Sequence, residues 1–282
     1  RLSLVGSEMC IRDRLGLLSF MVFSINACSS DDEIGGAKQD EETGIVINEK
    51  KLTKLVIEFP TYTDTYTFEY DNKGRLSKVN NNEQNYYISW GDDLVSSPWY
   101  DGIYESTNKT NYTYTLTNGR VIKAIKEYTA YSGSTPSKQY VTRNYIYDDE
   151  RRLFKVEEND SYYNNQYNTT HSYTWVNNQL KKYMFKASES YTYTYSDKTC
   201  KGFCPTLNDK SQKYHDEILF MVHPELIGMR KTQLPDKIES DYNTIWTYSY
   251  TFDKENYISN VIETRIDDNE KSVIIKYNYT WK

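Results

Sequence analysis

Five stretches of this chain repeat one alternation: Y-T-F-E-Y (66–70), N-Y-T-Y-T-L (111–116), S-Y-T-Y-T-Y (190–195), W-T-Y-S-Y-T-F (246–252) and K-Y-N-Y-T-W (276–281). An aromatic ring at every second position, with Thr, Ser or Asn between, has the two-residue period of a strand and fits no helical face. Such a strand sets its rings on one face and its small polar groups on the other. Tyr and Thr both favour extended backbone, so propensity and pattern agree. The chain holds 29 tyrosines. Its core must therefore be built largely from rings that carry a hydroxyl.

The strands recur in a longer unit: aromatic alternation, a polar turn, then a second strand that opens near an aliphatic residue. Y-T-F-E-Y-D-N-K-G-R-L-S-K-V (66–79) states it most fully. Its relatives are Y-T-Y-T-L-T-N-G-R-V-I-K-A-I (112–125), R-N-Y-I-Y-D-D-E-R-R-L-F-K-V (143–156), H-S-Y-T-W-V-N-N-Q-L-K-K-Y (171–183) and Y-S-Y-T-F-D-K-E-N-Y-I-S-N-V (248–261). Asp, Asn and Gly at the centre suit the positive backbone angles of hairpin turns. The unit spacing is too uneven for a solenoid. Residues 50–282 therefore read as a single all-β domain, a strongly curved antiparallel meander of hairpins forming an open or partly closed barrel-like sheet. One insertion near 199–239 breaks the rule. There S-Q-K-Y-H-D-E-I-L-F-M-V-H-P-E-L-I-G-M-R (211–230) predicts a short helix over 212–222, stopped by Pro224. Ile218, Leu219, Val222, Leu226, Ile227 and Met229 form an apolar plug expected on one open end or one face of the sheet.

Ahead of the domain, residues 28–49 are acidic, contain three glycines and lack aromatics, which marks a disordered tether. Residues 15–25 are uncharged but too short to cross a bilayer, which takes roughly 20 residues. With Ala27 before Cys28, residues 15–27 resemble the hydrophobic region and lipobox of a bacterial lipoprotein signal. That resemblance implies lipidation at Cys28 and an anchor in a membrane. Ser30-Asp31-Asp32-Glu33 resembles the acidic export signal of Bacteroidota surface lipoproteins, implying an outer-membrane position facing the cell exterior. An acidic run also serves as plain solvated linker. Residues 4–14, L-V-G-S-E-M-C-I-R-D-R, resemble a translated transposase adapter, so residues 1–14 are read as foreign and carry no argument.

Within the domain, F-E-Y-D-N-K-G-R-L (68–76) is similar to the tyrosine-aspartate repeats of large secreted shell proteins. More of the chain resembles a family of Bacteroidota lipoproteins of unknown function with a porin-like fold. The resemblance rests on the aromatic strands together with Y-S-D-K (195–198), P-E-L-I-G (224–228) and L-P-D-K-I (234–238). It implies a curved antiparallel sheet and brings no assigned activity. A lipid-facing barrel does not follow, because the residues opposite the tyrosines are Thr, Ser, Asn and Glu, where a membrane band needs apolar side chains.

Chemistry is sparse. With 34 basic and 40 acidic residues the balance is acidic, so no nucleic-acid partner is expected. Cys200 and Cys204, in T-C-K-G-F-C-P, are close enough in sequence for a disulfide across the Gly202 turn in an oxidising compartment; two buried thiols are the other reading. A zinc site would also need His215 and His223, whose spacing fits no strong pattern. The paired carboxylates Asp92-Asp93, Asp148-Asp149 and Asp267-Asp268 fall in expected turns, where Asp is the ordinary residue. No nucleophile, metal-hydrolase or phosphate-loop motif occurs, so neither an enzyme nor a cofactor is expected. The aromatics lead further. Trp99, Tyr100 and Tyr104, in S-S-P-W-Y-D-G-I-Y (96–104), are candidates for stacking on a glycan or a peptide, or for folding back over the sheet. The alternative function is an assembly subunit that uses its sheet face or strand edges.

Overall fold

All five alternating stretches lie inside strands, and all five hairpin units form hairpins. The computed structural model describes residues 50–81, 84–92, 94–100, 109–132, 135–161, 168–186, 188–202, 218–229, 233–267 and 270–282, which lie in one compact unit, Glu49–Lys282. Cys28, Ser30, Asp31, Asp32, Glu33, Tyr104, Cys204 and His215 fall outside the described residues. The described strands are β1 (Leu52–Glu58), β2 (Thr63–Tyr70), β3 (Leu76–Asn81), β4 (Gln84–Tyr87), β5 (Ser89–Trp90), β6 (Leu94–Tyr100), β7 (Lys109–Thr117), β8 (Arg120–Ser132) and β9 (Thr135–Tyr147). They continue with β10 (Leu153–Asp160), β11 (Thr169–Val176), β12 (Gln179–Phe185), β13 (Glu189–Thr199), β14 (Gln233–Ser240), β15 (Ile245–Phe252), β16 (Ile258–Asp267) and β17 (Glu270–Trp281).

Successive strands pair antiparallel around the sheet, and β17 returns to pair with β1 from Leu52↔Trp281 to Glu58↔Lys276. β4 and β5 are two segments of one run, parted at Ile88, whose N–H donates to Ser77 O at 2.9 Å. β4 faces β3 and β5 faces β6. The sheet is thus a barrel, closed but for that interruption, and closure removes the unpaired edges an open meander would present.

Alternation decides which side faces in. Tyr112, Tyr114 and Leu116 are buried, and so are Tyr191, Tyr193, Trp246, Tyr248, Tyr277 and Tyr279. The residues between them, Thr113, Thr115, Thr192, Thr247 and Asn278, belong to the outer wall. Outward lysines there pair with neighbouring carboxylates, as in Lys78–Glu69, Lys138–Glu127, Lys155–Glu157 and Lys237–Glu239. Among the described residues this wall offers no continuous apolar band to a bilayer.

One rim carries a turn built three times. At 71–75, 148–152 and 253–257 the opening Asp accepts two backbone N–H groups through one oxygen: Lys73 and Arg75 on Asp71, Glu150 and Arg152 on Asp148, Glu255 and Tyr257 on Asp253. Its second oxygen takes a cation, Arg75, Arg152 or Lys50. The fourth turn residue adopts positive φ: 80° at Gly74, 61° at Arg151 and 70° at Asn256. Asp148 is thereby engaged in holding its turn.

Past these turns the ladders slip by one residue, as between Leu153 and Lys155 against β9, and such bulges are common at barrel rims. The slip frees strand-opening carbonyls, and aromatic donors of other strands take them. Tyr70 donates to Leu52 O (2.8 Å), Trp90 to Leu76 O (2.6 Å) and Tyr147 to Val121 O (2.5 Å). Trp175 donates to Leu153 O (2.8 Å), Tyr250 to Pro235 O (2.6 Å) and Trp281 to Ile258 O (2.6 Å). These hydroxyls and indoles explain why a rim can be aromatic and still leave its buried carbonyls satisfied.

The insertion packs inside this rim. Of the predicted helix over 212–222, the described part is α1 (Ile218–Val222), followed by a 3-10 turn, Pro224–Ile227. Leu219, Phe220, Met221, Val222, Leu226, Ile227 and Met229 are buried. A segment apolar on all sides belongs in an interior. Phe220 meets Tyr114 and Tyr145 edge-on. His223 Nε2 accepts the Leu76 N–H (3.2 Å), and Arg120 donates to Glu225 O (2.5 Å). The plug therefore seals one end of the barrel.

Candidate functional site

Side chains that point inward change character along the barrel axis. Next to the Asp-turn rim they are aliphatic: Leu52, Leu76, Val121, Leu153, Leu180, Leu234 and Ile258 are each 0 % exposed. The middle is tyrosine, with Tyr114, Tyr173, Tyr183, Tyr193 and Tyr277 fully buried. Toward the opposite rim charge enters the same inward phase. Arg143 shares its phase with Val141, Tyr145 and Tyr147; His171 shares it with Tyr173 and Trp175; Glu263 shares it with Val261.

The wall formed by β8 to β11 gathers most of these groups. Arg143 Nε donates to Glu158 at 2.6 Å, across a register in which the two residues face each other on β9 and β10. On β8, Lys126 lies opposite Tyr112 and Val141. Its ammonium sits 5.4 Å from the Tyr112 ring centre and 6.0 Å from that of Tyr128. Tyr128 donates to Asp160 at 3.3 Å. Deeper in, His171 Nδ1 and the Tyr183 hydroxyl are 2.8 Å apart, both buried. Burial above all, with the Arg143 and Lys186 charges, pushes His171 down to about 3, so the imidazole is neutral. Across the interior, Tyr277 donates to buried Glu263 at 3.1 Å, and Tyr191 donates to Glu189. Burial, with the Asp64, Tyr86 and Tyr62 charges, lifts the Tyr66 hydroxyl to about 12.

Lys126, Tyr128, Glu158 and Asp160 are only partly buried, whereas the tyrosines below them are sealed. Among the described residues the interior is thus plugged and apolar at one end, and polar, aromatic and only partly buried at the other. Rings for stacking stand beside donors and acceptors for hydroxyl or amide groups, a combination suited to an oligomeric polar ligand.

The aromatic candidates at 99–104 are placed differently from expectation. Trp99 and Tyr100 do not lie in a loop but end β6, where the backbone pairs Trp99 with Thr110 and Tyr100 with Lys109. Pro98 is tolerated there opposite Asn111. Cys200 is buried at the end of β13, and its predicted partner Cys204 falls outside the described residues. Of the zinc candidates, His223 is turned to structural use: Nδ1 lies 2.7 Å from Glu225 while Nε2 holds the plug. Among the described residues no group of His, Cys, Asp and Glu is arranged to hold a metal ion. Lys126, Arg143, Glu158 and His171 were missed by sequence reasoning. Arg143 and His171 stand in phase with buried tyrosines, and that phase was the available signal.

No protein-family model and no curated protein sequence matches the chain. Its fold does match solved structures. A porin-like protein from Bacteroides uniformis superposes with a TM-score of 0.60 at 14% identity, over 83% of this chain and 98% of that one. A porin-like protein from Bacteroides vulgatus gives 0.58 at 13% identity, over 83% and 99%. The similarity is in fold: a near-closed antiparallel β-barrel of the kind these Bacteroides proteins have.

Proposed function

We propose that this chain is a lipid-anchored outer-membrane protein, displayed on the cell exterior, that binds an extracellular glycan or peptide at the polar end of its barrel. The observation that carries the reading is the one-sided interior: apolar and plugged beneath the Asp turns, charged and aromatic along β8 to β11. The lipobox-like residues ending at Cys28 and the acidic run Ser30–Glu33 support the location, as does the fold shared with porin-like Bacteroides proteins. The polar outer wall supports a barrel held beside the membrane by its lipid rather than one that spans it. Binding is favoured over catalysis because, of the pair Asp148-Asp149, Asp148 is spent on its own loop. Assembly through strand edges loses ground, since β1 and β17 close on each other.

A glycan and peptide array probed with the purified domain, residues 50–282, tests the reading. Retention on at least one class is expected, and no retention on either would overturn it. Replacing Cys28 by Ala is expected to move the protein from the membrane fraction to the soluble fraction. Unchanged membrane retention of that variant would remove the lipid anchor from the account.

A further inference from the structure

We infer that Lys126 forms the anion-recognising point of the inner wall and that the ligand is an acidic glycan, one bearing uronate carboxylates. This rests on the proposed reading of the barrel as a binding protein and narrows it to a class of sugar.

On the outer wall Lys78, Lys138, Lys155 and Lys237 each hold a carboxylate within 2.9 Å, although water could solvate them there. Lys126 lies on the inner wall, partly withdrawn from water, and its contacts among the described residues are two aromatic rings. Cation–π contacts of this kind offset only part of the cost of desolvating an ammonium. Its inward cationic neighbour Arg143 has Glu158 at 2.6 Å. The ammonium is therefore the place on this wall where an incoming carboxylate gains a charge-assisted hydrogen bond without displacing an existing ion pair.

The surroundings favour a sugar over an acidic peptide. Tyr128 presents a partly exposed ring whose hydroxyl is oriented by Asp160. Glu158 and Asp160 carry acceptor oxygens that suit sugar hydroxyls and repel the carboxylates of a run of acidic side chains. With Glu158 taken by Arg143, Lys126 and Asp160 leave this wall close to neutral, which fits a ligand with one charge per ring and several hydroxyls and does not fit a densely anionic chain.

The test uses tetragalacturonic acid and its methyl-esterified form, which keeps the sugar and removes the charge. Titration calorimetry on the purified domain is expected to show the acid binding about tenfold tighter than the ester, as one charge-assisted hydrogen bond supplies. The preference should shrink as salt is raised. Lys126→Met should abolish the difference between acid and ester, and Lys126→Arg should keep it; matching thermal unfolding curves establish that both variants fold. Equal binding of acid and ester, or a preference that survives in Lys126→Met, would overturn this inference and leave the general binding reading standing. Displacement of the sugar by oligoglutamate at equal concentration would overturn the choice of glycan over peptide. Failure of every glycan and peptide to bind would take down the parent reading as well.

Discussion

Gly119 and Gly228 have nearly the same backbone conformation, φ +71° and +62°, and opposite surroundings. A Cβ at Gly119 would meet nothing within 4 Å. At Gly228, which ends the plug, it would lie 2.6 Å from Arg151 O, 3.1 Å from Leu153 N and 3.3 Å from Arg152 Cα. All three are backbone atoms of the Asp148 turn and the opening of β10, so no side chain can swing aside. Gly119→Ala should therefore cost only the left-handed conformation, about 1–2 kcal/mol. Gly228→Ala should cost that plus the shift forced on a packed contact, about 2–5 kcal/mol in all. Urea unfolding of the 50–282 domain, with the m-value checked for constancy, reads both values. The difference between the variants, about 1–3 kcal/mol, measures how firmly the plug is seated under the rim. Equal losses in the two variants would refute the seating of the plug against the β9–β10 turn.

Other outcomes follow from the same geometry. His171 is held neutral in the fold, well below its ordinary value of 6.5, so its contribution to stability is present above pH 6.5 and is lost as pH falls toward about 3. Between pH 6 and 5, the unfolding free energy from urea titrations should fall by about 1.2 kcal/mol from this group, and His171→Gln should flatten that slope. An unchanged slope in the variant would exclude the histidine as its source. Tyr147→Phe keeps the ring and removes the donor to Val121 O, leaving a buried carbonyl without that bond; a loss of about 1–2 kcal/mol is expected by chemical denaturation. A loss below about 0.5 kcal/mol would mean that another donor takes that carbonyl over.

The strands and hairpins were legible because their physics is local. Tyr66, Phe68 and Tyr70 carry the period themselves, and D-N-K-G-R or D-D-E-R-R carries the turn that follows. The apolar plug was legible too, since Leu219 to Met229 had no polar face to give water. Closure was not legible, because pairing Leu52 with Trp281 depends on curvature summed over the whole sheet. Nor was the girdle of Trp and Tyr donors at the rim: each bond joins residues from separate strands through a bulge that no residue type announces. The same bulges hid Lys126. The slip between Thr115 and Leu116 on β7 shifts the phase of β8, so that Ile122 faces out and Lys126 faces in. Arg143 and His171 needed no such slip. A charged or titratable residue standing in phase with tyrosines marks an inward polar group, and that rule would have found both.

A ligand bound as proposed meets the inner wall at the polar end of the barrel, opposite the plug. Photochemical carbene footprinting read by mass spectrometry, with a glycan retained on the array bound to the domain, tests this most directly. Labelling should fall at Lys126 and Tyr128 and stay unchanged at Tyr87 and Phe154, which are exposed on the outer wall. Protection at Tyr87 or Phe154 with none at Lys126 and Tyr128 would contradict the account, because the ligand would then lie on the outside of the barrel.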